Sequence, residues 1–309
     1  MENRLHIQLE DSLGNQLFAL ASGWAIAKAT GRRFTYSVKR PPYVKINRVA
    51  DHYGHEYYLN PIAEAFPLFP HLPIEHEDTV GYQFFAETKS FHPELFRIKG
   101  DLFLKGHFCD ERYFESSIDE VRHFFTLSNQ IQTEADNYLR SLQLATTDRY
   151  AVFHYRGGDD YITRNSLLDE TYALEPLIQF AKDYPGATLI ICCDRKPTVI
   201  STLRRFFDKV IISNQRALID LAIMRTASVL VLSNSTFGIW GGVLNNGGKV
   251  FCPDLYPISS TEAVDSTIYP KKFLKLASKR RKGSRYAVKM AQLRILMRRV
   301  LHEVKVLNR

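Results

Sequence analysis

From residue 150 onward, short apolar runs alternate with helical stretches, and this regularity constrains the fold more than any other feature. The runs 150–155, 187–193 (A-T-L-I-I-C-C), 209–213, 228–232 and 248–252 are largely continuous in apolar residues. Helical patterns at 171–183, 197–207, 216–226 and 236–245 separate them. Strands covered on both faces read this way, and an intervening helix is what joins parallel neighbours. Residues 148–270 are therefore expected to form a Rossmann-like unit. Residues 1–147 carry a looser α/β pattern. It has a strand at 5–9, a turn from Asp11 to Gln16, and a helix over 17–29 with Leu17, Leu20, Ala21, Trp24 and Ala27 on one stripe. A Pro-, His- and Tyr-rich excursion follows at 41–80, then a strand at 102–108 and helices at 111–125 and 131–142. The polar segment 143–148 marks the expected boundary.

Charge is unevenly placed. The net charge is +8, yet residues 271–309 hold 14 of the 41 basic residues and one of the 33 acidic ones, leaving 1–270 at −5. A nucleic-acid enzyme concentrates its basic residues around the active site. A mildly acidic body with a cationic tail points away from nucleic acid. The four cysteines, two of them adjacent at 192 and 193, make neither a disulfide framework nor a zinc pattern and read as buried thiols. No metal-ligand spacing is found among His52, His55, His71 and His76. The N-terminus lacks the apolar core of a signal peptide, so a cytoplasmic protein is expected.

Ligands of open α/β sheets bind at the carboxyl ends of the strands. Ala151–Tyr161 (A-V-F-H-Y-R-G-G-D-D-Y) is such an end. His154 and Arg156 share one side of the strand by alternation. A cation placed there by a glycine turn suits an anionic ligand; a core histidine beside a surface arginine reads the same. Asp194 ends the next apolar run. Ser233, Asn234, Ser235, Thr236 and Phe237 lie between a run and a helix. Hydroxyls and free N–H groups there suit a phosphate at the positive end of the helix dipole, and they also suit simple N-capping. Gly14, Asn15 and Gln16 occupy a comparable turn after the first strand.

Taken in order, these segments resemble the inverting α-1,2-fucosyltransferases and, more distantly, the α-1,6- and protein O-fucosyltransferases. Leu13–Ala21 is similar to their L-G-N-Q-x-F-x-x-A, and Lys105-Gly106-His107-Phe108 through Arg112-Tyr113-Phe114 to their G-Y-x-x-x-x-x-Y-F. His154-x-Arg156 with Asp159 resembles H-x-R-R-x-D-Y. Asp220–Met224 resembles D-L-x-x-M, and Ser233–Gly241 resembles S-N-S-T-F-S-W-W-G. Five ordered motifs over roughly 1–257 are a stronger signal than any one. The resemblance implies a GT-B-like α/β fold of two Rossmann-like domains, with a donor cleft between them. It also implies a GDP-fucose donor, inversion at the anomeric carbon and no required metal or other cofactor. Carried over by position, Arg156 holds the β-phosphate, His154 and Asp220 contact the guanosine, and Ser235, Thr236 and Phe237 bind phosphate. Gly14 and Asn15 lie against the pyrophosphate or the sugar, with Gln16 beside them. Asp159, Asp160 and Asp194 are candidates for the catalytic base, and Arg156, Asp159 and Asp194 form the expected catalytic set. Gly157 stands where the family has a second arginine, Asp160 where it has a tyrosine, and Ser12 where it has a glycine. The implied reaction moves fucose to a glycan hydroxyl, such as the 2-OH of galactose, in surface polysaccharide or oligosaccharide synthesis. A transferase using another GDP-sugar or linkage, and a non-catalytic nucleotide- or glycan-binding relative, remain open.

In the tail, Tyr286, Met290, Leu293, Met297, Val300, Val304 and Leu307 recur at helical spacing, with Lys289, Arg294, Arg298, Arg299 and Lys305 on other faces. A basic amphipathic helix over 279–309 suits an anionic membrane surface, which would make the protein peripheral there and bring it to a lipid-linked acceptor. Packing on the N-terminal domain or on a coiled-coil partner reads equally well.

Overall fold

A computed structural model describes residues 3–38, 48–50, 56–58, 61–71, 74, 80–86, 91–145, 148–256, 268–281 and 284–307. Parts of the 41–80 excursion, with His52, His55 and His76, lie outside the described residues. Two compact units form, one of Met1–Asp51 and His55–Ser128, the other containing Asn129–Arg309.

The first unit runs β1 (Arg4–Leu9), α1 (Leu13–Ala29), β2 (Arg33–Val38), β3 (Arg48–Ala50), β4 (Glu56–Tyr58), α2 (Pro61–Ala65), β5 (Gln83–Ala86), β6 (Leu102–Lys105) and α3 (Ile118–Phe124). Its sheet has the order β2-β1-β6-β5, parallel throughout, while β3 and β4 pair separately and antiparallel. Helix α1 is buried on nearly every side rather than along one stripe. The strand expected over 102–108 stops at Lys105, because Gly106 (φ 144°) and Phe108 (φ 51°) turn the chain. The helix expected over 111–125 opens as two 3-10 turns before α3. Asp110 accepts from the Arg112 N–H at 2.9 Å and from its guanidinium, a local alternative to helical bonding.

The second unit runs α4 (Asn129–Ser141), β7 (Tyr150–Tyr155), α5 (Asp159–Thr163), α6 (Leu174–Asp183), β8 (Thr188–Cys193), α7 (Ile200–Leu203), β9 (Lys209–Ile212), α8 (Ala217–Thr226), β10 (Val229–Val231), α9 (Thr236–Val243), β11 (Lys249–Pro253), β12 (Leu274–Leu276) and α10 (Arg285–Leu307). Its six strands are parallel in the order β12-β11-β10-β7-β8-β9. All six residues of β7 are buried, as an interior strand covered on both faces requires. Phe153, Leu189, Ile191 and Val231 meet Leu177, Phe180, Leu203 and Phe207 in the core. The sequence boundary at 147/148 and the division after Ser128 differ by α4. That helix joins the second unit, where its Glu134 pairs with Arg216 at 2.6 Å, beside α8. The four cysteines are free thiols.

Helix α10 packs on α5 of its own unit. Ala287, Val288 and Ala291 meet Tyr161, Ile162 and Leu167. The stripe read from the sequence is not the contact face: Tyr286, Leu293 and Met297 are exposed. Among the described residues no helix is long and apolar enough to cross a membrane.

Candidate active site

The carboxyl ends of β7, β8 and β10 converge on one cluster in the second unit. After Tyr155 the chain passes through Arg156, Gly157 and Gly158 into α5. The two glycines are dictated by close approach. A Cβ on Gly157 would lie 2.5 Å from the Tyr155 ring, and one on Gly158 would lie 2.6 Å from Asp194 Oδ2. Asp194, just past β8, accepts from the Gly157 N–H at 2.8 Å and ties the turn to the neighbouring strand.

Arg156 is the centre of the cluster. Its Nη1 donates to Asp194 Oδ2 and its Nη2 to Asp160 Oδ2 at 3.0 Å, while its guanidinium carbon sits 5.2 Å from the centre of the Tyr161 ring. Burial works against the guanidinium charge, but Asp194 and Asp160 outweigh it and raise the pKa above the ordinary value. The arginine is thus a permanent cation oriented from two sides. The Arg156 N–H donates to Ser233 Oγ at 3.0 Å, joining the end of β7 to the end of β10. His154 lies on the same side of the strand, 3.4 Å from Ser233 Oγ through Nδ1 and 5.7 Å from the Phe237 ring. Burial, with the Arg156 charge adding to it, holds its imidazole down at about 3, so His154 is neutral at physiological pH. Gly238 makes room for it, since a Cβ there would fall 2.7 Å from His154 Nδ1.

The Ser233–Phe237 segment turns from β10 into α9. Asn234 is buried, donates to Ser166 O at 2.9 Å and accepts at its carbonyl from Tyr161 OH at 2.6 Å. Ser235 occupies the N-cap of α9 in extended conformation, but its side chain makes no capping bond. The simple capping reading of Ser235 therefore does not hold. Its hydroxyl and the N–H groups of Thr236 and Phe237 stand at the helix start, where backbone donors lack intrahelical partners. Asp220, on α8, stands beyond this cluster and accepts from Ser213 Oγ at 2.5 Å. Burial raises its carboxyl to about 6, against the opposing hydrogen bonds from Ser213 and Cys192.

Asp159 is the sequence candidate whose setting differs most from an open cleft position. At the start of α5 it is clamped by α10: Arg294 Nη2 reaches Oδ1 at 2.6 Å and Nε reaches Oδ2 at 3.0 Å. Arg195 adds a contact at 3.1 Å and Arg298 one at 3.5 Å. Hydrogen bonding to Arg294 is the main cause of an Asp159 pKa below the usual carboxylate range. In the first unit, Gly14, Asn15 and Gln16 lie in the first turn of α1, not in the loop before it. Ser12 is the N-cap and its carbonyl accepts from the N–H groups of Asn15 and Gln16 at 3.0 and 3.1 Å. At φ −78° Ser12 needs no glycine; the left-handed residue is Asp11 at φ 61°. Gln16 donates to Asp11 O at 2.8 Å.

The cluster thus unites His154, Arg156, Asp160, Asp194 and Ser233–Phe237, while Asp159, next to Asp160 on α5, is held by α10 and Arg195. Sequence reasoning passed over the parts played by Tyr161, Arg195 and Arg294. Arg195 adjoins a strand end, which is a signal; Arg294 lies 135 residues from its partner and gave none.

Against known proteins, the family described as glycosyl transferase family 11 matches residues 75–270. A bovine galactoside 2-alpha-L-fucosyltransferase SEC1 is 24% identical over 261 residues, 79% of this chain and 65% of the relative. The mouse Sec1 enzyme is 22% identical over 267 residues, 81% of this chain and 67% of its own. The chain thus spans about 65% of the first of these relatives. Among solved structures, a NodZ alpha-1,6-fucosyltransferase soaked with GDP-fucose is similar at TM-score 0.50 and 18% identity, covering 83% of this chain and 97% of the other. That likeness shows a GT-B-type α/β fold. With the family matched over more than half of its length, the chain belongs to glycosyl transferase family 11.

Proposed function

We propose that the protein transfers L-fucose from GDP-fucose to a glycan hydroxyl, the 2-OH of galactose in the first instance, with inversion at the anomeric carbon. The observation that carries this is the meeting of Arg156 with the Ser233–Phe237 turn at the start of α9, through the bond from Arg156 N–H to Ser233 Oγ. A diphosphate placed there meets a fixed cation and a helix N-terminus together. As the glycosidic bond breaks, negative charge grows on the β-phosphate, and donors already in place stabilise it without reorganisation. Ser235, Thr236 and Phe237 take the phosphates, neutral His154 and Asp220 the guanosine. Gly14, Asn15 and Gln16 are assigned to the donor on the resemblance and on their helix-start position. Because Arg156 and α9 supply the positive potential, we propose transfer without a bound metal, and chelation with EDTA should leave the rate unchanged.

Among the three aspartates, Asp194 is our choice for the group that takes the acceptor proton. All three are paired with arginines, and exposure separates them: the side chains of Asp159 and Asp160 are each 4% exposed against 28% for Asp194. Asp194→Asn should cut kcat more than KM. We also place the protein in the cytoplasm and, through residues 279–309, against an anionic membrane bearing a lipid-linked acceptor. The support is the concentration of cations there. A glycan-array transfer assay with GDP-fucose and GDP-mannose tests the reaction. Turnover of GDP-mannose alone would replace the donor, and GDP binding by calorimetry with no turnover of either would leave a non-catalytic nucleotide binder.

A further inference from the structure

Helix α10 has two apolar faces, and only one is covered among the described residues. The inner face, with Ala287, Val288 and Ala291, covers Ile162 and Leu167. On the opposite side Tyr286 is 74% exposed, Leu293 47%, Leu296 56% and Met297 55%. At 100° per residue, positions 286, 293 and 297 fall within about 40° of one another, with 296 on their flank. The cations divide in the same way. Arg294 and Arg298 turn inward to Asp159. Arg285 and Lys289 are exposed and have no acidic partner among the described residues.

We propose that this outward face docks on an anionic lipid bilayer, with Tyr286, Leu293, Leu296 and Met297 entering the interface and Arg285 and Lys289 meeting the headgroups. The proposal rests on the membrane reading of residues 279–309 and assigns it to one face. Charge selects the occupant. From 271 to 309 there are 14 cations and one acid, Glu303, so a second copy of the helix would oppose like charge with like. A negative surface meets the same cations favourably, and an apolar strip rimmed by cations is the pattern of a helix lying in the interfacial plane. The inner face then gives the docking a consequence for the site. Through Arg294 and Asp159, α10 holds the turn that carries Arg156, so docking would set the donor site at the membrane surface.

Deleting the helix would uncover Ile162 and Leu167, so the test uses point variants of the full chain. Flotation with vesicles containing phosphatidylglycerol, and with pure phosphatidylcholine vesicles, should show binding to the first alone. Leu293→Ser/Met297→Ser and Arg285→Glu/Lys289→Glu should each lower partitioning by about tenfold or more. GDP affinity, by calorimetry, should stay unchanged in both variants, which reports an intact fold. Equal binding to both vesicle types, no binding, or anionic binding that neither variant weakens would overturn the proposal. So would a dimer, seen by ultracentrifugation, that Leu293→Ser/Met297→Ser dissociates. Vesicle binding needs neither donor nor acceptor, so its failure is distinct from failure of the fucosyl-transfer reading.

Discussion

Arg156 sits between two carboxylates, and under the proposed function a diphosphate at the same guanidinium would add to them or exchange with the more exposed one, Asp194. Removing the arginine leaves Asp160 and Asp194 without their shared cation. Arg156→Ala should keep the fold while lowering transfer on the order of 10²–10³-fold or more. Circular dichroism and turnover measured together check this, and activity within a few-fold of wild type would sink the assignment. Arg156→Lys should recover little, because a point charge cannot span both partners. At Gly157 the Tyr155 ring, 2.5 Å from where a Cβ would stand, leaves no room for a side chain. Gly157→Ala should cost about 1–3 kcal/mol in thermal or denaturant unfolding, and Gly157→Arg should be no better tolerated. Asp220 gives a pH signature. Its folded carboxyl, raised to about 6, holds its proton more tightly than the unfolded chain does. Its ionisation therefore costs stability as pH rises from about 4 to 6, up to about 3 kcal/mol by neutral pH. Asp220→Asn should stabilise the protein at pH 7 and make little difference below about pH 4. If Asp220 accepts from guanine N–H groups, wild-type GDP affinity should rise with pH through about 6, and the variant should lose that rise. Calorimetry across pH 5–8 decides it.

Between elements, the contact of α10 with α5 couples that helix to the turn that carries Arg156. Arg294→Ala should destabilise the fold by about 1–3 kcal/mol and weaken GDP binding, with Arg294→Lys recovering part of each. The sign with pH is the reverse of that for Asp220. The folded pKa of Asp159 is depressed, so its contribution is present above about pH 4 and is lost as pH falls through the folded value. Arg294→Ala should therefore flatten the acid limb of the stability curve. This contact was the least legible part of the sequence. Periodicity finds faces rich in large apolar residues, and on α10 these are Tyr286, Leu293 and Met297, which face outward. The buried face is built on Ala287, Ala291 and an arginine matched to a distant carboxylate. Helix α5 escaped for a related reason: five residues opening with two aspartates give no pattern. The parallel strands of the second unit were plain because their two-sided burial leaves continuous apolar runs. The turn at Arg156 was legible through its glycines, although what fills the space around them, Tyr155 and Asp194, comes from the folded chain alone.

For the whole molecule, the dominant asymmetry is electrostatic: a body of net −5 joined to a tail of +13. Membrane binding through the tail should therefore weaken steeply with added salt, while the Arg156 cluster, partly shielded from ions, should be far less sensitive. Vesicle partitioning and GDP affinity measured at about 0.05 and 0.5 M salt should diverge accordingly. The clamp on Asp159 also sets an order of events when the chain is made. Asp159 leaves the ribosome 135 residues before the arginine that completes its clamp. At ~5–20 residues per second that is a wait of roughly 7–27 s. The sheet strands β8 to β12 are synthesised within it, β7 having gone before, while Ile162 and Leu167 have no cover. Released chains that stop before residue 285 should thus carry a formed sheet with an unfinished Arg156 turn, a turn completed only when α10 is delivered.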